Sequence, residues 1–154
     1  MNDKTNMICS SSPWVTCNFP DRCFKGYTMF TPMGGSVVWL IDMQGLPVHC
    51  WEMAYPQSAA REILPNGNLL YSGTDLAGPK TESGGSNKVV VEADWDGNIL
   101  WEYKDPMQHH AFSRLSNGNT MVLSALSYRA LTAQSVHVVA GPGRPAHFFM
   151  LLRY

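Results

Sequence analysis

Apolar residues along this chain recur with the two-residue period of a strand. In "NILWEY", residues 98–103, Ile99, Trp101 and Tyr103 fall on one face, with Leu100 and Glu102 on the other. "VVWLID" at 37–42 and "VVVEAD" at 89–94 are rich in β-branched residues, which suit a pleated, half-buried surface. Between such runs stand "DGN" after Trp95 and "NGN" at 66–68 and 117–119. Asn, Asp and Gly tolerate the positive φ that tight hairpin turns require. No segment joins a helical period to helix start and stop signals. The pattern predicts strand, tight turn, strand, longer link, short strand, Asn-Gly turn, strand.

That order occurs twice. "SVVWLIDMQGLPVHCWEM … EILPNGNLLYSG", from about 36 to 73, is followed by "KVVVEADWDGNILWEYKD … SRLSNGNTMVLS", from about 88 to 124. Asp42, Gly45, Trp51 and Glu52 match Asp94, Gly97, Trp101 and Glu102, and Leu64 with its Asn-Gly-Asn matches Leu115 with its own. A four-stranded antiparallel meander repeated with an aromatic signature is the mark of a β-propeller blade. The expected fold is all-β: a partial β-propeller of two four-stranded antiparallel blades with an irregular C-terminal tail. It divides into a Cys-containing N-terminal segment with an entry strand (1–35), blade 1 (36–77), a linker with blade 2 (78–124), and an unmatched tail (125–154). One meander cannot bury both faces, so Trp51 and Trp101 are expected between blades, where burial of each contributes about 2–3 kcal/mol. A ring closes with about four to eight blades. The tail has no Asp or Glu, and no third Asp-x-x-Gly…Trp signature begins there; a truncated or altered end is expected.

Composition narrows the partners. A chain of 154 residues with net charge −1 supplies no electrostatic reason for binding nucleic acid or an anionic membrane. No apolar run approaches the ~20 residues that span a bilayer. "MNDKTNMICSSSPW" lacks the apolar region of a leader, which makes the cytoplasm the default expectation. Cys9, Cys17, Cys23 and Cys50 match neither a zinc knuckle nor a redox pair by spacing. They read as small free hydrophobes, or as a disulfide in an exported protein. No metal or cofactor is called for: the carboxylates of "TDLAGPKTESGG" fit no calcium loop and read as a surface linker.

One difference between the copies concerns chemistry. "HHAFSRLSNGN" places His109 and His110 where the first copy has Ser58 and Ala59. Within a regular strand the two imidazoles would face opposite sides; in a preceding link both could face one substrate. Arg114 stands four residues on, ~13 Å at ~3.4 Å per residue, and is assigned a solvated or inter-blade position. Arg61 aligns with Phe112. His49 is expected to pack beside Trp51, and Asp94 and Asp96 to build the turn around Trp95.

As a set, "FKGYTMFTPMGGSVVWLIDMQGLPVHCWEM", "ILPNGNLLYSG", "VVVEADWDGNILWEYKDP" and "QHHAFSRLSNGNTMVLS" resemble the opening blades of the bacterial arylsulfotransferase family, over about residues 24–124. The resemblance implies a six-bladed propeller whose central channel passes a sulfuryl group from a phenolic sulfate ester to a phenol acceptor. It proceeds through a transient sulfated histidine, with no nucleotide donor and no cofactor. His109 and His110 match the family's paired histidine at the substrate site, with His110 the stronger candidate; the family pattern continues with an acidic residue where this chain has Ala111. Imidazole serves such chemistry as base, nucleophile or, protonated, as donor. The sulfuryl-accepting histidine belongs to a later blade with no match here, and His137 and His147 lie in the unmatched tail. The chain alone is therefore expected to be inactive. Relatives work in the periplasm. Two other readings compete: a non-catalytic propeller fragment that binds or self-associates through open blade edges, and a quinone-cofactor propeller with similar Trp signatures.

Overall fold

The computed structural model describes residues 14–78, 89–125, 133–141 and 147–153. The chain divides after Glu52 into two compact units. The described secondary structure consists of strands throughout, and no helix among those residues is long and apolar enough to cross a membrane.

In the first unit, β1 (Thr28–Phe30), β2 (Val37–Ile41) and β3 (Pro47–Glu52) pair antiparallel in that order. Val38, Leu40 and Ile41 of β2 are buried, as is Trp51 of β3. Trp14 packs against Phe30 and Trp39, with ring centroids 5.6 and 4.9 Å apart. His49 meets the Trp51 ring edge-on at 4.3 Å, as a strand neighbour two residues away should. Cys17, Cys23 and Cys50 are free thiols, and Cys9 lies outside the described residues.

The second unit holds two open four-stranded sheets. One has β4 (Gln57–Ile63), β5 (Leu69–Gly73), β6 (Val89–Ala93) and β7 (Ile99–Lys104), hydrogen-bonded in that order. The other runs β8 (Gln108–Arg114), β9 (Thr120–Ala125), β10 (Ala133–Val139) and β11 (His147–Arg153). Leu64, Leu70 and Val90 of the first sheet join Val122 and Val139 of the second in one core, with Trp101, Tyr103 and Phe112 packed against it. Trp101 thus lies between sheets, where its repeat position placed it. Along β5 and β6 every residue is buried, so both faces of the sheet centre are covered.

Turn chemistry explains the hairpins. Asp42 Oδ1 accepts the N–H groups of Gln44 and Leu46, each at 2.9 Å, while Gly45 takes φ 80°. In the second copy Asp94 Oδ1 accepts those of Asp96 and Asn98 at 3.0 and 2.8 Å, with Gly97 at 87°. The Asn98 side-chain amide is the main cause holding the Asp94 carboxyl below its ordinary range. The two Asn-Gly-Asn turns match equally: Leu64 N–H donates to Asn68 O and Leu115 N–H to Asn119 O, both at 2.8 Å. The repeat is therefore one of backbone geometry as well as residues.

Strand pairing, however, is out of phase with the repeat. The sheet β4–β7 takes its first hairpin from copy one and its second from copy two. Spacing alone says which strands form hairpins and leaves open which hairpins share a sheet. The irregular tail is also corrected: β10 and β11 pair with each other from Ala133↔Arg153 to Val139↔His147, and β10 pairs with β9. They occupy in the second sheet the places that β6 and β7 occupy in the first. The Asp-x-x-Gly…Trp signature marks a turn and its packing, and a chain without it still satisfies a sheet edge through backbone hydrogen bonds.

Candidate functional site

The histidine pair lies inside β8, in a break of its ladder. Gln108 pairs with Ser124 and Phe112 with Val122, so three residues on β8 face one on β9. His110 has φ 57°, the left-handed region, and is the one non-glycine residue with positive φ among the described residues. Histidine tolerates this better than most side chains, at about 1–2 kcal/mol. The consequence is geometric: strict alternation would send the two side chains to opposite faces, yet the rings meet edge-to-face with centroids 4.1 Å apart. His109 is half-buried and His110 exposed. Both histidines thus lie within β8 and not in a link ahead of the strand, and the bulge lets their rings touch.

Residues before the bulge hold it. Asp105 Oδ1 accepts the Met107 N–H at 2.9 Å, Asp105 O accepts the Gln108 N–H at 3.0 Å, and Ser124 Oγ donates to Asp105 Oδ2 at 2.5 Å. Gln108 is fully buried. Burial, the Asp105 charge and its hydrogen bond push the Tyr103 phenol up to about 12. The same bulge exists in copy one, where Gln57 pairs with Gly73 and Arg61 with Tyr71. There Ser72 Oγ clasps Ala60, accepting its N–H at 3.1 Å and donating to its O at 3.2 Å.

Arg114 takes the inter-sheet position of its two alternatives. Its guanidinium pairs with Glu92 of β6, donates to Gly118 O at 2.9 Å and lies 5.3 Å from the Trp101 ring centroid. Glu92 also accepts from Asn68 Nδ2 at 2.7 Å, and Arg114 N–H reaches Glu62 Oε1 of β4 at 3.3 Å. This network floors an open groove of about 630 Å³ flanked by Ile63, Leu100 and Leu115. The histidines are not among its lining residues. Glu92 and Glu62 were not singled out from sequence, although Glu92 stands alone in an apolar run, and a carboxylate there signals a buried cation nearby.

The side chains of His137 and His147 and the linker from 79 to 88 lie outside the described residues. Among the described residues, no three His, Cys, Asp or Glu side chains gather as a metal site would require. No protein-family model matches the chain, and no curated protein matches it either.

Proposed function

We propose that the chain is part of a β-propeller of the arylsulfotransferase type, with His109 and His110 at its substrate site. The single observation that carries this is the β8 bulge, which sets two imidazoles side by side at 4.1 Å on an otherwise alternating strand. The propeller itself is supported by two stacked four-stranded sheets whose first strands, β4 and β8, lie against each other. Neighbouring blades meet in this way, with their first strands towards a common axis.

In the reaction, the S–O bond to the donor phenol breaks and its oxygen takes up a proton. A new S–O bond forms to the acceptor phenol, which releases its own proton. A histidine nitrogen of another blade holds the sulfuryl group between the two steps. His109 and His110 act as donors to the sulfate oxygens and the departing phenolate. This chain by itself binds the ester without turning it over.

The test is titration of the chain with 4-nitrophenyl sulfate, followed through the imidazole NMR signals. Wild type is expected to bind, His110→Ala to lose at least tenfold in affinity, and neither to release 4-nitrophenolate. Equal affinity in the two proteins would end the proposal.

A second reading, assembly without catalysis, draws on β7. It is an open edge strand with Ile99 and Leu100 exposed, and Trp95 exposed in the turn before it. It requires a molecular mass that rises with concentration in sedimentation experiments, and a monomer at all concentrations rejects it.

A further inference from the structure

Two surface features of this chain complement each other in chemistry. The first is an exposed segment of the first unit, Phe24, Lys25, Gly26 and Tyr27, just ahead of β1. Phe24 is 90% exposed and Tyr27 68%, and Lys25 between them is exposed as well. Aromatic rings left in water are what protein interfaces bury, and they are prominent among the anchors of such contacts. The backbone holds the segment at both ends. Before it, Phe19 O accepts the N–H groups of Arg22 and Cys23 at 2.9 and 3.0 Å; after it, Thr28 opens β1 and pairs with Ile41. Within it, the Phe24 ring lies against Gly26, where an added Cβ would stand 3.2 Å from the ring carbon Cε1. A ring positioned in advance loses less freedom when a partner covers it.

The second feature is the groove of about 630 Å³ in the second unit, to which both Asn-Gly-Asn turns contribute, through Asn66 and Gly118. Its walls, Ile63, Leu100 and Leu115, are apolar, and Ile63 and Leu100 are exposed. On its floor the charges of Arg114 and Glu92 cancel in their ion pair, so that Glu62 gives the lining residues one net negative charge. Such a lining favours an apolar group that carries a cation, and the volume suits one of compact size, ~300–1,000 Å³. Two rings and an ammonium within four residues have that make-up. Charge also sets the direction of entry, Lys25 towards Glu62 and the rings towards the apolar walls.

We infer that the Phe24–Tyr27 segment of one copy docks in this groove of a second copy. The two surfaces differ, so a copy that lends its segment still presents a groove, and association runs head to tail until it closes as a ring or extends. This contact is separate from the β7 edge and from the histidine site, and it requires neither reading above.

The experiment is sedimentation of the full chain over a range of concentrations at low salt. It compares wild type with Phe24→Ser, Lys25→Glu, Glu62→Lys, the double variant Lys25→Glu/Glu62→Lys, and Ile99→Lys. Far-UV circular dichroism checks that each is folded. The wild-type mass should rise with concentration. Phe24→Ser, which removes an anchor, should associate at least about tenfold more weakly. Lys25→Glu and Glu62→Lys, which set like charges together, should each weaken association by at least about tenfold, and the double variant should return to within about threefold of wild type. Ile99→Lys alters the β7 edge outside the groove lining and should change nothing. A wild-type monomer at all concentrations overturns the inference, as does association indifferent to Phe24→Ser and Lys25→Glu. A loss confined to Ile99→Lys also overturns it, while upholding assembly through the β7 edge. A double variant as weak as the single ones overturns the pairing of Lys25 with Glu62. Should Glu62→Lys fail to fold, the Phe24 and Lys25 variants, both in the first unit, decide the matter.

Discussion

The bulges of β4 and β8 are the same backbone device with different contents. Each begins at a glutamine, Gln57 or Gln108, and ends four residues later where the ladder resumes. In β4 the Ser72 hydroxyl clasps Ala60 within the bulge. In β8 the residue aligned with Ser72 is Leu123, the support comes from Asp105 and Ser124 beside the first residue, and two imidazoles fill the bulge. Because copy one keeps the irregularity without histidines, the bulge belongs to the scaffold. The histidines use an opening that the fold already makes.

The copies differ most at the ion pair. Where copy two has Glu92 and Arg114, copy one has Leu40 and Ile63. Glu92→Leu alone should destabilise the chain by about 3–5 kcal/mol in urea unfolding, since it leaves Arg114 buried without its partner. Adding Arg114→Ile, which makes both positions like copy one, should recover most of that loss. A double variant no more stable than the single one would show that Arg114 has other support. Next in size is the exchange at the β5 end: Gly73 aligns with Ser124, but a Cβ there would stand 2.5 Å from the Tyr55 Cβ. Gly73→Ser should cost about 1–3 kcal/mol through overpacking, and a neutral result would mean that Tyr55 moves aside freely.

A smaller effect separates conformation from chemistry at the histidines. His110→Gly should be about 1 kcal/mol more stable than His110→Ala, because only glycine accepts φ 57° without strain. Both should lose 4-nitrophenyl sulfate alike; retention in the glycine variant would assign the binding to backbone shape. The smallest signal is alkaline. Tyr103 has a folded-state pKa raised to about 12 against an ordinary value of about 10, so its contribution to stability is intact below the ordinary value and is lost as pH rises through the folded one. Burial raises the Tyr71 phenol as well, so phenolate absorbance should show two tyrosines ionising late, and Tyr103→Phe should remove one of them.

The elements readable in the sequence were those specified by local chemistry. The Asp-x-x-Gly and Asn-Gly-Asn turns carry their own hydrogen-bonding groups, and β6 and β7 carry the strand pattern. Pairing across the longer links was not readable, because nothing local distinguishes a hairpin's own sheet from its neighbour's. Nor were β10 and β11, which join the second sheet without a recurrent signature. Of the site, the histidine doublet stood out by comparison of the copies. Its side-by-side geometry did not, since it needs a left-handed histidine, whereas the other positive φ values described belong to glycines.

The way β10 and β11 complete the second sheet bears on how such chains change over time. A vacant ladder position asks of its occupant only amide and carbonyl groups at the right interval, so unrelated sequence can be recruited there with little selection. The tight corners are exacting, each tied to particular side chains. Novel segments should therefore arise most readily at the outer margin of such sheets, leaving the strand that bears the imidazoles untouched.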